Sequence, residues 1–255
     1  MNILVLLKQT FDTEEKIVIQ NGKISEDGVN FIINPYDEYA VEEAVKIKEE
    51  LGAEVTVLTA GPSRAESALR TALAMGVDKG ILIELEESGA DEYTVAKMIT
   101  AAIEGKEFDL ILGGNMAVDS GAGQVAIRVA EELGIPHLSA ITKLLLEGTK
   151  ATVERDVEGD AELVEVNLPF LATTQQGLNE PRYPSLPGIM KAKKKTLERL
   201  SMDDLNLSPD DLKGKTEVRD QYLPSKKEAG KILNGELAEQ VTELIQLLRS
   251  EAKVV

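Results

Sequence analysis

Short apolar runs alternate with amphipathic stretches through residues 1–135, and this alternation restricts the possible folds more than any other feature of the chain. "NILVLL" reads as a buried strand ending at Lys8. "EVTVLTAGP", "GILIEL" and "FDLILGG" read as three more. Helical patterns lie between them. Asn34-Pro35 opens a helix with Ala40, Ala44, Ile47 and Leu51 on one face and Gly52 at its end. Ser63 and Glu66 have capping-box spacing for a second helix, which turns Ala65, Ala68, Leu69, Ala72 and Leu73 inward and closes at Gly76. Asp91 to Glu104 forms a third helix, and "SGAGQVAIRVAEEL" a fourth, ended by Gly134 and Pro136. Apolar strands separated by such helices imply an α/β fold, a doubly wound and mostly parallel sheet covered on both faces. Before the first helix, "KIVIQNGKISEDGVNFII" reads as a small hairpin turning at Asn21-Gly22.

After Ile135 the pattern changes. "ITKLLLEGTKATVERDVEGDAELVEVNLPFLATTQQ" alternates with period two between glycine turns, with Val153, Val157, Leu163, Val164 and Val166 as its apolar positions. It predicts added antiparallel strands extending the sheet. From Thr196 on the chain is polar and ends in an amphipathic helix with Leu237, Val241, Leu244, Ile245 and Leu248 on one stripe. The expected organisation is an α/β domain over residues 1–195 and an extended C-terminal helical arm over 196–255. The arm's apolar stripe needs a cover, either the same domain or a partner subunit.

Composition removes several chemistries. The chain of 255 residues has no cysteine and a single histidine. Disulfides, thiol catalysis, thiolate zinc, iron–sulfur clusters and multi-histidine metal sites are therefore excluded. His137, in "LGIPHLS", reads as structural, because no Gly-x-Ser-x-Gly elbow is present to partner it. A net charge of −17 argues against nucleic-acid binding. No apolar run approaches the roughly 20 residues that span a bilayer, so no direct membrane insertion is expected. "MNILVLLKQT" lacks the basic start and cleavage site of a signal peptide, which points to the cytoplasm.

Ligands of doubly wound sheets bind beyond the carboxyl ends of the strands. Those ends are Lys8-Gln9, Thr59-Ala60-Gly61 and Gly113-Gly114-Asn115. The loop "GGNMAVDSGAGQVA" leads from the fourth strand into a helix, where backbone N–H groups and the helix N-terminus favour an anion. Gly121-x-Gly123-x-x-Ala126 fits the dinucleotide fingerprint but follows the fourth strand, not the first. No Gly-x-x-x-x-Gly-Lys-Ser/Thr is present, which argues against a P-loop NTPase. The loop is either an ordinary glycine-rich turn or an adenine-nucleotide site, and the second reading is favoured. Asp119 either holds a ribose hydroxyl or caps the helix; Gln124 either reaches a phosphate or is solvated.

"NEPRYPSLPGIMKAKKK", residues 179–195, stands apart from the acidic remainder. Pro181, Pro184 and Pro187 stiffen it, Leu186 tips it, and Lys191, Lys193, Lys194 and Lys195 back it. The lysines either steer an acidic partner or form a solvated element end.

Together "VLLKQ", "NPYDEYAVEEAVKIKE", "TAGPSRAESALRTALAMGVDKGI", "GGNMAVDSGAGQ", "VERDVEGDAELVEVNLP" and above all "LNEPRYPSLPGIMKAKKK" resemble the small (beta) subunit of electron-transfer flavoproteins, over most of the chain. The resemblance implies a Rossmann-like, adenine nucleotide alpha-hydrolase-like fold. It implies a heterodimer with an alpha subunit that holds most of the FAD. Electrons would arrive from flavin dehydrogenases, typically the acyl-CoA dehydrogenases of fatty-acid β-oxidation, and leave to a quinone oxidoreductase. The chain would be an electron carrier subunit, not an enzyme, and would bind a structural AMP.

Carried over by residue, the AMP site takes Leu6, Lys8, Gln9, Asn34, Pro35, Tyr36, Asp37 and Ala60. It continues through Gly114, Asn115, Met116, Ala117, Val118, Asp119, Ser120, Gly121, Ala122, Gly123, Gln124 and Val125, with Asp119, Gly123, Gln124 and Val125 closest. Thr13 would lie near the flavin. Partner docking would use Tyr183, Pro184, Ser185, Leu186, Pro187, Ile189, Met190 and the four lysines, within a recognition loop of about 174–196, and the C-terminal helix would pack on the large subunit. An electron-bifurcating branch carries a second FAD in place of AMP, with an Asp-Gly-Asp-Thr-Ala-Gln-Val loop. Here Ser120-Gly121-Ala122-Gly123 lacks its second Asp and its Thr, favouring AMP, although "KQTFDT" is similar to that branch. A stand-alone nucleotide-binding module of universal-stress type would not need the proline loop or the arm. An adenylating ATP pyrophosphatase would need a Ser-Gly-Gly-x-Asp-Ser loop after the first strand, which is absent.

Overall fold

The apolar run at the start of the chain becomes β1 (Asn2–Leu6), buried from Ile3 onward on both faces. Ile3 and Val5 enter the core under one helical layer, and Leu4 and Leu6 enter the other. Such two-sided burial is what a central parallel strand requires. The computed structural model describes residues 1–85, 90–208, 210–227 and 229–254.

In chain order, β2 (Gln9–Phe11), β3 (Ile19–Gln20), β4 (Lys23–Ile24) and β5 (Phe31–Ile33) lead to α1 (Pro35–Leu51). Then come β6 (Glu54–Gly61), α2 (Glu66–Met75), β7 (Lys79–Glu84), α3 (Glu92–Ile103), β8 (Leu110–Gly114) and α4 (Val125–Leu133). The second half holds β9 (His137–Glu147), β10 (Lys150–Val157), β11 (Asp160–Asn167), β12 (Phe170–Thr174), α5 (Leu186–Ala192), β13 (Leu197–Leu200) and α6 (Leu237–Leu247).

One nine-stranded sheet runs β11-β10-β9-β12-β8-β1-β6-β7-β13. From β9 through β13 in that order every pairing is parallel, while β10 pairs antiparallel with both β9 and β11. The fold is therefore the expected mostly parallel α/β sheet with antiparallel additions. α1 and α2 share one core with one face of the sheet, and α3 and α4 share the other. The strand order reverses at β1: the chain moves outward to β6 and β7 on one side, then returns to β8 on the other. That reversal opens a crevice at the carboxyl ends of β1 and β8.

Several local expectations are corrected. Leu51, the last residue of α1, is 56% exposed and does not join the apolar face. Ser63 does not cap α2. It begins a 3-10 turn, Ser63–Ala65, and its hydroxyl donates to Glu84 instead. The Asn21-Gly22 turn forms, but its ladder is only β3 with β4; Phe31–Ile33 pairs with Gln9–Phe11 instead. The fourth helix begins at Val125, so "SGAGQ" is loop. Phe170–Thr174 is not an added antiparallel strand, because β12 is inserted between β8 and β9 and parallel to both. β13, in a stretch read as polar arm, pairs with β7 and is held by Arg199 on Glu66 and Glu84.

The chain divides into two compact units, residues 1–18 with 25–219, and residues 19–24 with 220–255. In the second, the Ile24 N–H donates to the Gln221 side chain, Lys231 pairs with Glu243 at 2.6 Å, and α6 continues into a π-helical turn, Leu248–Ala252. Leu237, Val241, Leu244 and Ile245 on α6 are all exposed.

Gly76 ends α2 with φ of 140°, and a Cβ there would stand 2.8 Å from Val45 Cγ1 on α1. Backbone strain and overpacking act together at this site. Gly76→Ala is expected to destabilise the fold by about 2–3 kcal/mol, read as a lowered thermal unfolding midpoint. An unchanged midpoint would show that α1 and α2 are not packed this closely.

Candidate functional site

The crevice at the strand reversal is a cleft of about 280 Å³. Leu6 and Lys8 from the end of β1, Ala60 and Gly61 from β6, and Gly113 and Gly114 from β8 form its base. Val95 and Ile99 of α3 give it an apolar wall, with Leu85 after β7. The loop after β8 closes it through Met116, Ala117, Ser120, Ala122, Gly123 and Gln124, and Val125 and Ala126 begin α4.

Two residues before and inside the first turn of α1 hold these parts together. Asn34 is buried. Its Nδ2 donates to the Met116 carbonyl at 2.9 Å, and its Oδ1 accepts from the Val118 N–H at 3.0 Å. Asp37 is also buried, and its carboxylate accepts from the Lys8 N–H at 2.6 Å and the Gly114 N–H at 2.9 Å. One side chain thus joins the ends of β1 and β8. Burial pushes the Asp37 carboxyl up to about 7, against those two N–H groups and Asn34, which favour its charged form. Gly114 is required here: a Cβ would lie 2.2 Å from Asp37 Oδ1 and 2.7 Å from Tyr36 Cβ. Gly123 is required for the loop, since a Cβ would lie 2.7 Å from the Asn115 carbonyl oxygen.

α4 starts without a side-chain cap. Its first-turn N–H groups have no carbonyl to reach within the helix, and Gly123 through Ala126 border the cleft. An uncapped helix start after a glycine loop is a ready position for a phosphate, and the apolar wall on α3 suits a planar base. Glu92 and Asp91 also border the cleft, and Asp91 caps α3 by accepting from the Thr94 N–H at 2.9 Å.

A second feature lies on the α1/α2 side of the sheet. Residues 179–185 run without regular structure into α5. Tyr183 is 95% exposed and Leu186 80%, and Ile189 and Met190 are exposed as well. Ser185 caps α5 by accepting from the Gly188 N–H at 3.1 Å. Gly188 presses on the end of α2, where a Cβ would be 2.3 Å from the Ala74 carbonyl oxygen.

A family model described as the electron transfer flavoprotein domain matches residues 21–205. Over the full length of both chains, the protein is 58% identical to the electron transfer flavoprotein subunit beta of Bacillus subtilis. It is 42% identical to the protein of the same name from Syntrophomonas wolfei, over 100% of this chain and 98% of that one. The human electron transfer flavoprotein subunit beta is 37% identical, over 90% and 91% of the two chains. The chain belongs to the electron transfer flavoprotein beta-subunit family.

Within this family member, the residues expected at the nucleotide divide into two groups. Leu6, Lys8, Asn34, Asp37, Ala60, Gly114, Met116, Ala117, Ser120, Ala122, Gly123, Gln124 and Val125 border one cleft. Gln9 is turned away: its side-chain Nε2 donates to Ser67 Oγ at 2.7 Å, and its Oε1 accepts from Arg64 at 2.6 Å. Pro35 and Tyr36 belong to the first turn of α1, and the Tyr36 carbonyl accepts from Thr174 Oγ1. The Asn115 side chain accepts from Thr173, and Val118 and Gly121 do not line the cleft. Asp119 does not cap the helix, which starts six residues later; its carboxylate pairs with Lys8 Nζ at 2.8 Å and accepts from the Ser120 N–H. Gln124 accepts from Arg128 across one helical turn.

Thr13 lies in an exposed turn after β2. The four loop lysines separate too. Lys191, Lys193 and Lys194 are exposed, but Lys195 donates to the carbonyls of Leu73 and Val77 at the end of α2, and burial lowers its pKa. Leu85, Val95, Ile99 and Asp91 escaped the sequence reading. The C-terminal end of "GILIEL" and the helix start at Asp91 were the signals for them.

The raised Asp37 pKa fixes the sign of a pH effect. The folded protein holds this proton more tightly than the unfolded chain does. The contribution of Asp37 is therefore complete below its ordinary value of 3.8 and is lost as pH rises toward about 7. The unfolding midpoint of the wild type relative to Asp37→Asn should fall between those pH values. A difference that is flat with pH would contradict the buried carboxyl.

Proposed function

We propose that this chain is the beta subunit of a heterodimeric electron transfer flavoprotein, an electron carrier in which the cleft holds AMP and Tyr183 to Met190 dock the electron donor. The large subunit holds most of the FAD, which supplies all of the redox chemistry when bound. The donor is a flavin dehydrogenase, typically an acyl-CoA dehydrogenase, and the acceptor a quinone oxidoreductase, in the cytoplasm. No helix among the described residues is long and apolar enough to cross a membrane, in keeping with a carrier that moves between partners.

The observation that carries the nucleotide reading is the uncapped start of α4 at the end of the Gly114–Gln124 loop. The phosphate would take the N–H groups of Gly123 to Ala126, and the base the wall of Val95, Ile99 and Leu85. The ribose would face Lys8 and the base of the cleft. Most of these contacts are backbone or apolar, which suits a nucleotide that is held and not turned over. Among the described residues no cluster of acidic and histidine side chains is arranged to hold a metal.

Two features support the docking reading. Leu186 is a small apolar anchor at the tip of a proline-stiffened projection, so little entropy is lost when a partner pocket receives it. Lys191, Lys193 and Lys194 stand beside it on an otherwise acidic protein, in a position to steer an acidic surface. A single anchor gives modest affinity, as a shuttle needs.

Coexpression with a candidate large subunit should yield a yellow heterodimer. A stable colourless monomer that hydrolyses ATP would overturn the carrier reading. Within the heterodimer, Leu186→Ala should slow reduction by the dehydrogenase about tenfold at limiting donor while leaving subunit and flavin stoichiometry unchanged. Wild-type kinetics in that variant would remove the loop from docking.

A further inference from the structure

Two adjacent glutamates in the middle of α1 are buried: Glu42 and Glu43 are each 5% exposed. A helix packed on a sheet would ordinarily place apolar side chains there, because burying a carboxylate costs more than its partner returns unless geometry and donors are excellent. Lys46 of the same helix donates to Glu43 Oε2 at 3.1 Å, and the other donors come from the strap that precedes α5. Asn179 Nδ2 donates to Glu43 Oε2 at 2.9 Å and to the Tyr39 carbonyl at 3.0 Å. Arg182 reaches Glu42 with Nε at 2.9 Å and Nη2 at 3.0 Å, and its own backbone N–H donates to the same carboxylate at 3.0 Å. The outer edge of the guanidinium spans Glu49 at 2.6 and 3.0 Å. The planar fork is thereby fixed on two carboxylates about two helical turns apart, and its backbone is fixed with it.

The strap is held again three to six residues after Arg182. Ser185 caps α5, and Gly188 seats that helix on the Ala74 carbonyl of α2. Between these two holds the chain presents Tyr183 and Leu186 to solvent. An apolar pair in place of Glu42 and Arg182 would cover α1 equally well. It would not define one direction for the segment beyond it, which is the property a planar, multiply bonded ion pair adds.

We propose that Arg182 is the positioning residue of the docking loop: locked on Glu42 and Glu49, it sets the direction in which Leu186 meets the electron donor. This rests on the docking reading above. Arg182 makes no contact with donor, flavin or nucleotide in this account; it acts by reducing the freedom of the segment before binding.

The test uses the purified heterodimer, reduced by an acyl-CoA dehydrogenase as the varied substrate. In the paired swap Glu42→Met with Arg182→Met, no buried charge is left alone. The thermal midpoint and flavin content should stay near wild type, while KM for the dehydrogenase rises about fivefold and kcat is unchanged. Backbone amides of residues 180–187 should exchange faster. Added to Leu186→Ala, the swap should raise KM no further, because Arg182 acts only through that leucine. If the swap fails to assemble, Arg182→Lys, which keeps the charge and loses the fork, should give the same KM rise. A wild-type KM in the swap, with Leu186→Ala still impaired, overturns the positioning role alone. Full additivity of the two changes overturns it as well. A wild-type KM in Leu186→Ala itself overturns the docking reading and this inference together.

Discussion

Helix α1 buries three carboxylates, Asp37, Glu42 and Glu43, in a protein that is acidic overall. An unpartnered buried carboxylate is destabilising, so each of these demands donors from elsewhere in the fold. Asp37 takes the N–H groups of Lys8 and Gly114 and so fastens together the two strands at which the sheet reverses. Glu42 and Glu43 take Arg182 and Asn179 and so fasten the strap of residues 179–185. The cleft is positioned by the first turn of this helix and the projecting loop by its middle. The sheet order decides where that helix lies, and its buried acids decide what it can hold.

This arrangement suits a protein whose work is holding and presenting. The cleft is built from strand ends, a glycine loop and an uncapped helix start, and its side chains are mostly apolar. Lys8, Asp37 and Asp91 are engaged in structural bonds, Lys8 with Asp119, Asp37 with two strand-end N–H groups and Asp91 with the start of α3. A bound flavin carries out electron transfer without a protein acid or base at hand, so the protein has to supply geometry. Family membership and site chemistry point the same way.

Much of the fold was readable from the chain because period and punctuation agreed. Continuous apolar runs at β1, β6, β7 and β8 could only be strands buried on both faces, and Gly52, Gly76 and Gly134 ended the helices between them. Where the reading failed, a tertiary partner outweighed a local preference. Ser63 had the spacing of a cap but gave its hydroxyl to Glu84. Phe31–Ile33 left the local hairpin for Gln9–Phe11, helped by the edge-to-face contact of Phe31 with Phe11 and by Arg64 over its ring. Leu197–Leu200 became an edge strand because Arg199 and β7 were there to receive it. At the site, the glycine loop and strand ends were legible from spacing, whereas the α3 wall needed the topology. The side-chain bonds of Asp119 and Lys195 are long-range and leave no mark in a single sequence.

Occupancy of the cleft between β1 and β8 by AMP, as proposed above, is the point on which the nucleotide reading stands or falls. The most direct measurement is to denature the purified heterodimer and quantify every released nucleotide by chromatography. The account requires one FAD and one AMP per pair, with AMP lost selectively when Gly123 is replaced by valine. Two FAD molecules and no AMP would contradict it and assign the cleft to a second flavin.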